Sequence, residues 1–292
     1  MIKGSIVALI TPFCEDGSVN YSKLEELVEW HIQEGTDGIL VLGTTAETPT
    51  LEEEEEDQIV RTVKRKASGR IPVIVGSGGN NTQLSIDKSI AYQNLGADAL
   101  LVITPYYNKT NKEGLKQHFL SVADAVDIPI LVYNVPGRTN MSVPFDVMAE
   151  LSKHKNIAGI KEASGNMSLA AKYSTLINDD FNIYSGNDDI TVPIMSMGGA
   201  GTISVLANIL PKETHEMAMA YWNGDTEKAA QMQKYYLDFI NHLFIETNPI
   251  PVKEAMNMAG MNVGGYRMPL YPMADENKKK LVESMKAIGL LK

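Results

Sequence analysis

Ile157-Ala158-Gly159-Ile160-Lys161-Glu162-Ala163-Ser164-Gly165 is a short apolar run that ends on a charge and then breaks into small residues. Its apolar half is too short for a helix and has the character of a buried strand. Working outward, seven further runs of the same kind occupy residues 5–10, 38–42, 72–76, 99–104, 130–134, 182–185 and 200–205, and this one spans 158–162. Between them lie segments with helical spacing and helix-forming residues, at 21–34, 51–66, 83–95, 114–126 and 145–154. Strands alternating with amphipathic helices are what parallel βαβ units produce, and eight such units predict a closed (β/α)8 TIM barrel of the α/β class. Thr50 followed by Glu53 predicts a capping box, and the acidic run 52–56 then complements the positive end of a helix dipole.

After the eighth run the pattern turns wholly helical, at 212–222, 226–244, 250–260 and 276–288. The expected organisation is a barrel over residues 1–211 with a helical region, 212–292, packed on it. A doubly wound open sheet is the rival. Its nucleotide-binding turn would have to be Gly76-Ser77-Gly78-Gly79-Asn80-Asn81, which carries Asn81 where the third glycine belongs.

The 292 residues are 44% hydrophobic and 21% charged, ordinary for a folded globular chain. A formal net charge of -10 without a basic patch opposes nucleic-acid and anionic-membrane partners. No apolar run approaches the roughly 20 residues of a membrane helix, and the start of the chain lacks a signal-peptide pattern. With Cys14 as the only cysteine, no intramolecular disulfide can form, so the expected location is cytoplasmic. The five histidines show no paired metal-ligand spacing, so no metal is expected.

In a (β/α)8 barrel, functional groups come from the carboxyl ends of the strands and the loops beyond them. That selects Thr44 and Thr45, Tyr106 and Tyr107, Tyr133 with the turn Asn134-Val135-Pro136-Gly137-Arg138-Thr139, Lys161, and the stretch from Gly186 to Asp189. Lys161 closes an apolar strand, and its ammonium should project inside the barrel mouth. It reads either as half of an ion pair with Glu162 or Asp188, or as an amine nucleophile, because desolvation disfavours the charged form and frees the lone pair. The hydroxyls of Tyr133 and Thr45 could move protons to and from a carbinolamine oxygen. Arg138, on a rigid Pro-Gly turn, either grips a substrate carboxylate or makes a surface salt bridge.

Together, Gly43-Thr44-Thr45-Ala46-Glu47, Pro105-Tyr106-Tyr107-Asn108, the Tyr133 to Thr139 turn and Gly159 to Gly165 resemble the motifs of the dihydrodipicolinate synthase and N-acetylneuraminate lyase family, across essentially the whole chain. The lysine motif is common to this pyruvate-dependent family, whereas the Asn-Val-Pro-Gly-Arg-Thr turn points to its dihydrodipicolinate synthase branch. The resemblance implies a lyase of the diaminopimelate route to lysine, in which Lys161 forms a Schiff base with pyruvate and the resulting enamine attacks L-aspartate 4-semialdehyde. It further implies a proton relay of Tyr133, Thr45 and Tyr107, with Tyr107 reaching into a partner's site, and Arg138 on the semialdehyde carboxylate. Thr44, Thr45, Gly186 and Ile203 would line the substrate pocket. A homotetramer or dimer and no cofactor are expected. The alternatives are another pyruvate aldolase acting on a sugar acid, and a non-catalytic barrel.

Two departures stand out. Ala46 replaces a common glycine. At the interface site where lysine-inhibited relatives hold lysine through a glutamate and histidines, this chain has Leu84, Glu53 and Glu56, while Asn80 and Tyr106 remain. Weak or absent lysine inhibition is therefore expected.

Overall fold

Alternate residues of each strand face opposite ways, and this period of two divides the apolar side chains into two separate cores. Ile6, Leu40, Ile74, Leu101, Leu131, Tyr133, Tyr184 and Ile203 pack inside the barrel. Val7, Ile39, Val75, Val102, Val132 and Ile160 face outward against the helices. Strands apolar on both faces can be buried only if helices cover the outer one, which is why the sheet is parallel and closed.

The computed structural model describes residues 2–292. Strands β1 (Gly4–Ala8), β2 (Gly38–Val41), β3 (Val73–Gly76), β4 (Ala99–Ile103), β5 (Ile130–Asn134), β6 (Ile157–Glu162), β7 (Asn182–Ser185) and β8 (Gly201–Ser204) pair in chain order. All pairs are parallel, and β8 closes on β1 with Ile6 beside Ile203. The barrel read from the sequence is thus present, with small shifts at strand ends. The first strand stops at Ala8 instead of residue 10 because Ile10 N donates to the Asn208 side chain.

The helices are α1 (Tyr21–Gln33), α2 (Glu53–Ala67), α3 (Thr82–Asn94), α4 (Lys112–Asp124), the single turn α5 (Pro136–Thr139), α6 (Phe145–Leu151), α7 (Met167–Ser174), α8 (Thr191–Ser196), α9 (Pro211–Trp222), α10 (Thr226–His242), α11 (Ile250–Met258) and α12 (Asp275–Ala287). Of the last four, α9 packs against β1 and β8, α10 packs on α9, on α8 and on the turn after β7, α11 packs on the turn after β8, and α12 packs on α10 and α11. No helix among the described residues is long and apolar enough to cross a membrane.

The capping box lies two residues later than the sequence suggests. Thr50 ends a 3-10 turn and spends its hydroxyl on Glu47 O, so α2 starts after an extended Leu51, and Glu55 reaches back to Glu52 N at 3.0 Å. The acidic run is structural, as expected, and it also anchors distant segments. Glu55 makes a two-pronged pair with Arg267 at 2.6 Å, and Glu56 binds Lys88 and Tyr92.

His31 is fully buried in the last turn of α1, with Nδ1 on Thr36 Oγ1 at 3.0 Å and Nε2 without a partner among the described residues. Burial pushes its pKa down to about 3. A helix C-terminus favours a cation by about 2 kcal/mol at most, so desolvation wins. Because the unfolded chain binds the proton near its ordinary value, this histidine costs stability as pH falls below 6.5. We predict that His31→Gln removes roughly 3 kcal/mol of the acid destabilisation between about pH 6.5 and 4.5, measured by urea unfolding. An acid slope unchanged from wild type would contradict this.

Candidate active site

Strand pairing assembles the centre of the site. Tyr133 on β5, Lys161 on β6 and Tyr184 on β7 are register partners, so their side chains enter the barrel at one level. Lys161 is 5% exposed, and its Nζ lies 4.5 Å from the Tyr133 ring centroid. A cation over an aromatic face gains about 1 kcal/mol, far less than an ion pair would need to offset burial of a charge.

Neither carboxylate that might have neutralised Lys161 is paired with it among the described residues. Glu162 points the opposite way from β6, accepting from Asn134 Nδ2 and Ser164 N at 2.7 Å each. Burial raises its pKa against those hydrogen bonds. Asp188 accepts from the amides of Val205 and Leu206 at 2.9 Å. Burial raises its pKa too, opposed by Ser204, by these amides and by the charge of Lys161. Glu162 thus fixes the loops after β5 and β6, and Asp188 fixes the loop after β8 through Oδ2, its Oδ1 being buried without a hydrogen-bond partner among the described residues.

Gly186 follows β7, with its amide on Glu162 O at 2.7 Å. A Cβ there would meet Ala163 Cβ at 2.6 Å and Lys161 Cε at 3.1 Å, so only glycine leaves the lysine stem in place. Ile203 on β8 is fully buried in the interior cluster that contains Tyr133.

Thr44 and Thr45 sit in a 3-10 turn after β2, a loop bracketed by two non-glycine residues in the left-handed region, Leu42 at φ 53 and Glu47 at φ 59. Each such residue costs about 1 to 3 kcal/mol and persists only where its surroundings hold it. Glu47 is held by Lys253 Nζ at 2.8 Å, both side chains being essentially inaccessible, and by Arg267 N at 2.9 Å. Burial pushes the Lys253 pKa down to about 8, against the pull of the Glu47 carboxylate. Ala46, in place of the usual glycine, is buried in the turn and is not among the positive-φ residues, so its methyl group brings no backbone strain. Thr45 is 3% exposed, and its Oγ1 accepts from Asn248 Nδ2 at 2.9 Å.

A cavity of about 350 Å³ opens at this end of the barrel, lined among others by Thr44, Tyr133, Arg138, Asn80, Leu84 and Tyr106. Arg138, on α5, makes no salt bridge among the described residues, and its Nη2 donates to the Asn248 carbonyl at 3.0 Å. Lys161, Tyr133, Gly186 and Ile203 therefore gather inside the mouth, and Thr44, Thr45 and Arg138 on its rim. Tyr107 does not join them within the chain. It is 91% exposed and holds φ 68, an unfavourable conformation for a bulky residue.

The arrangement sets a buried amine beside Tyr133, whose side chain also lines the cavity together with Thr44 and the Arg138 guanidinium. The Dihydrodipicolinate synthetase family model matches residues 1–288. The chain belongs to that family. A 4-hydroxy-tetrahydrodipicolinate synthase of Thermoanaerobacter sp. strain X514 is 53% identical, covering 100% of this chain and 98% of its own. Dihydrodipicolinate synthase from Aquifex aeolicus superposes with a TM-score of 0.95 at 44% identity, covering 99% of this chain and 98% of that one. The chloride-inhibited dihydrodipicolinate synthase of Acinetobacter baumannii, complexed with pyruvate, gives 0.97 at 41%, with both chains fully covered.

Residues that sequence reasoning overlooked are Asn248, Lys253 and Arg267, which tie the helical region after the barrel to the loop of Thr44 and Thr45. The signal available was Asn248-Pro249-Ile250-Pro251, two prolines interrupting an otherwise helical region. For Gly186 we predict that an alanine substitution displaces the Lys161 stem, lowering turnover by more than about tenfold while costing about 1 to 3 kcal/mol of stability. Turnover within about twofold of wild type would contradict the crowding.

Proposed function

We propose that this protein condenses pyruvate with L-aspartate 4-semialdehyde to form 4-hydroxy-tetrahydrodipicolinate, a lyase reaction on the diaminopimelate route to lysine. The observation that carries the reading is the buried Lys161 amine, paired with no carboxylate among the described residues and set against Tyr133, in a chain that belongs to this family. The synthase names of its relatives favour this reading over a sugar-acid aldolase.

The chemistry follows from the groups present. The lone pair of Lys161 Nζ attacks the keto carbon of pyruvate, and the carbinolamine oxygen leaves as water, giving an imine. Loss of a methyl proton gives the enamine, whose carbon bonds to the semialdehyde aldehyde carbon, and the new alkoxide takes up a proton. The semialdehyde amino group then adds to the imine carbon and expels Lys161, closing the ring. Tyr133 and Thr45 carry the protons, with Tyr107 supplied by a partner subunit. The strained, exposed Tyr107 backbone suits a side chain presented to another subunit. A dimer is then the smallest active form, and a homotetramer is the form we expect. Arg138 takes the semialdehyde carboxylate as a two-pronged donor, while Thr44, Thr45, Gly186 and Ile203 shape the pyruvate pocket. A single free cysteine suits the cytoplasm.

Lysine should be a poor inhibitor. Leu84 offers no carboxylate, and that of Glu56 is already engaged by Lys88 and Tyr92, with the Lys88 ammonium set to repel a second cation. Clear inhibition at sub-millimolar lysine would contradict this.

The assay follows semialdehyde consumption with pyruvate through a coupled reductase that oxidises NADPH. Lys161→Ala should abolish turnover, and Arg138→Ala should raise the semialdehyde KM by more than about tenfold with little change for pyruvate. Wild-type protein without turnover, or an Arg138→Ala variant with an unchanged semialdehyde KM, would overturn the substrate assignment.

A further inference from the structure

Asn248 lies between α10 and α11, outside the barrel strands, yet it contacts two residues of the site. Its Nδ2 donates to Thr45 Oγ1 at 2.9 Å, and its backbone carbonyl accepts from Arg138 Nη2 at 3.0 Å. It is 6% exposed, and its Oδ1 is buried with no partner among the described residues. Leaving a buried amide oxygen without a donor is costly, so packing alone is a poor account of an asparagine here.

A threonine hydroxyl has one proton to donate and two lone pairs. The Asn248 amide occupies one lone pair, and no hydrogen bond takes the proton among the described residues, so Thr45 is held as a donor to whichever oxygen is brought beside it. A second fastening keeps the two segments together: Lys253, one turn into α11, donates to Glu47 and to Thr11 O at 2.8 Å each. The loop of Thr45 and the start of α11 are thereby joined at two points.

We propose that Asn248 is a positioning residue that fixes the Thr45 hydroxyl as a donor to the oxygens of pyruvate during imine formation at Lys161. This rests on the imine chemistry proposed above. Asn248 touches no substrate in this account and acts only through the direction it imposes on Thr45. Because Arg138 binds the backbone carbonyl, a change of side chain at position 248 leaves the carboxylate grip on the semialdehyde in place.

The test is the rate of imine formation from pyruvate alone, followed by rapid quenching of the protein into borohydride. Asn248→Ala should slow it on the order of tenfold, with the semialdehyde KM little changed. Asn248→Asp keeps the shape but presents an acceptor, which draws the Thr45 proton away from pyruvate, so it should be slower than Asn248→Ala. A purely structural asparagine predicts the reverse order, since aspartate preserves the packing. An Asn248→Ala rate within about twofold of wild type, or an Asn248→Asp rate above that of Asn248→Ala, would overturn the proposal. Should Asn248→Ala fail to fold, Asn248→Ser, whose hydroxyl can still donate, is expected to exceed Asn248→Asp, and the opposite order would overturn it. Wild-type protein that forms no adduct would reject the imine chemistry itself, a result distinct from any ordering of the variants.

Discussion

An amine held inside a barrel mouth with no carboxylate in salt-bridge contact among the described residues is the constraint around which the rest is arranged. A lysine at such depth is normally neutralised by a carboxylate, because the desolvation of an ammonium costs several kcal/mol. Here the buried carboxylates of Glu162 and Asp188 bind amides and side chains of neighbouring loops instead. Strand register then does what an ion pair would otherwise do. It places Lys161 beside Tyr133 on one side and level with Tyr184 on the other, and Gly186 leaves room for the lysine stem. The position of the reactive atom is thereby set by the closed sheet, the most rigid part of the fold.

The rim is organised by different means. The loop carrying Thr44 and Thr45 holds two left-handed non-glycine residues, a conformation that would relax if nothing restrained it. Its restraint comes from about two hundred residues away in sequence, through Lys253 on Glu47 and Asn248 on Thr45. A buried pair of this kind is weak evidence for net stability, since an apolar pair of similar volume can do as well. Its value lies in fixing one geometry, and that is what a catalytic loop requires. The helices beyond the strands therefore belong functionally to the site as well as to the scaffold.

Much of this was legible in the sequence, for specific reasons. The eight strands could be read because most are short, apolar on both faces and separated from the next by helical spacing. Lys161 could be read because a charge ending an apolar strand breaks the pattern. Gly186 was reached as part of a strand-end loop, but its role in the pocket, like that of Ile203, came from resemblance, since neither a glycine nor an isoleucine carries chemistry that spacing would reveal. The Asn248, Lys253 and Arg267 contacts were not legible, because a hydrogen bond between residues some two hundred positions apart leaves no periodicity in a single chain. The capping box was misplaced by two residues for a similar reason: the Thr50 hydroxyl is taken by Glu47 O in a preceding 3-10 turn, which composition does not signal.

The most direct measurement of the central claim is a peptide mass map of the protein after borohydride reduction in the presence of pyruvate. The account predicts one added carboxyethyl group, carried by the peptide that contains Lys161. An unmodified Lys161 peptide, or the adduct on Lys253, the other lysine buried at this end of the barrel, would contradict it.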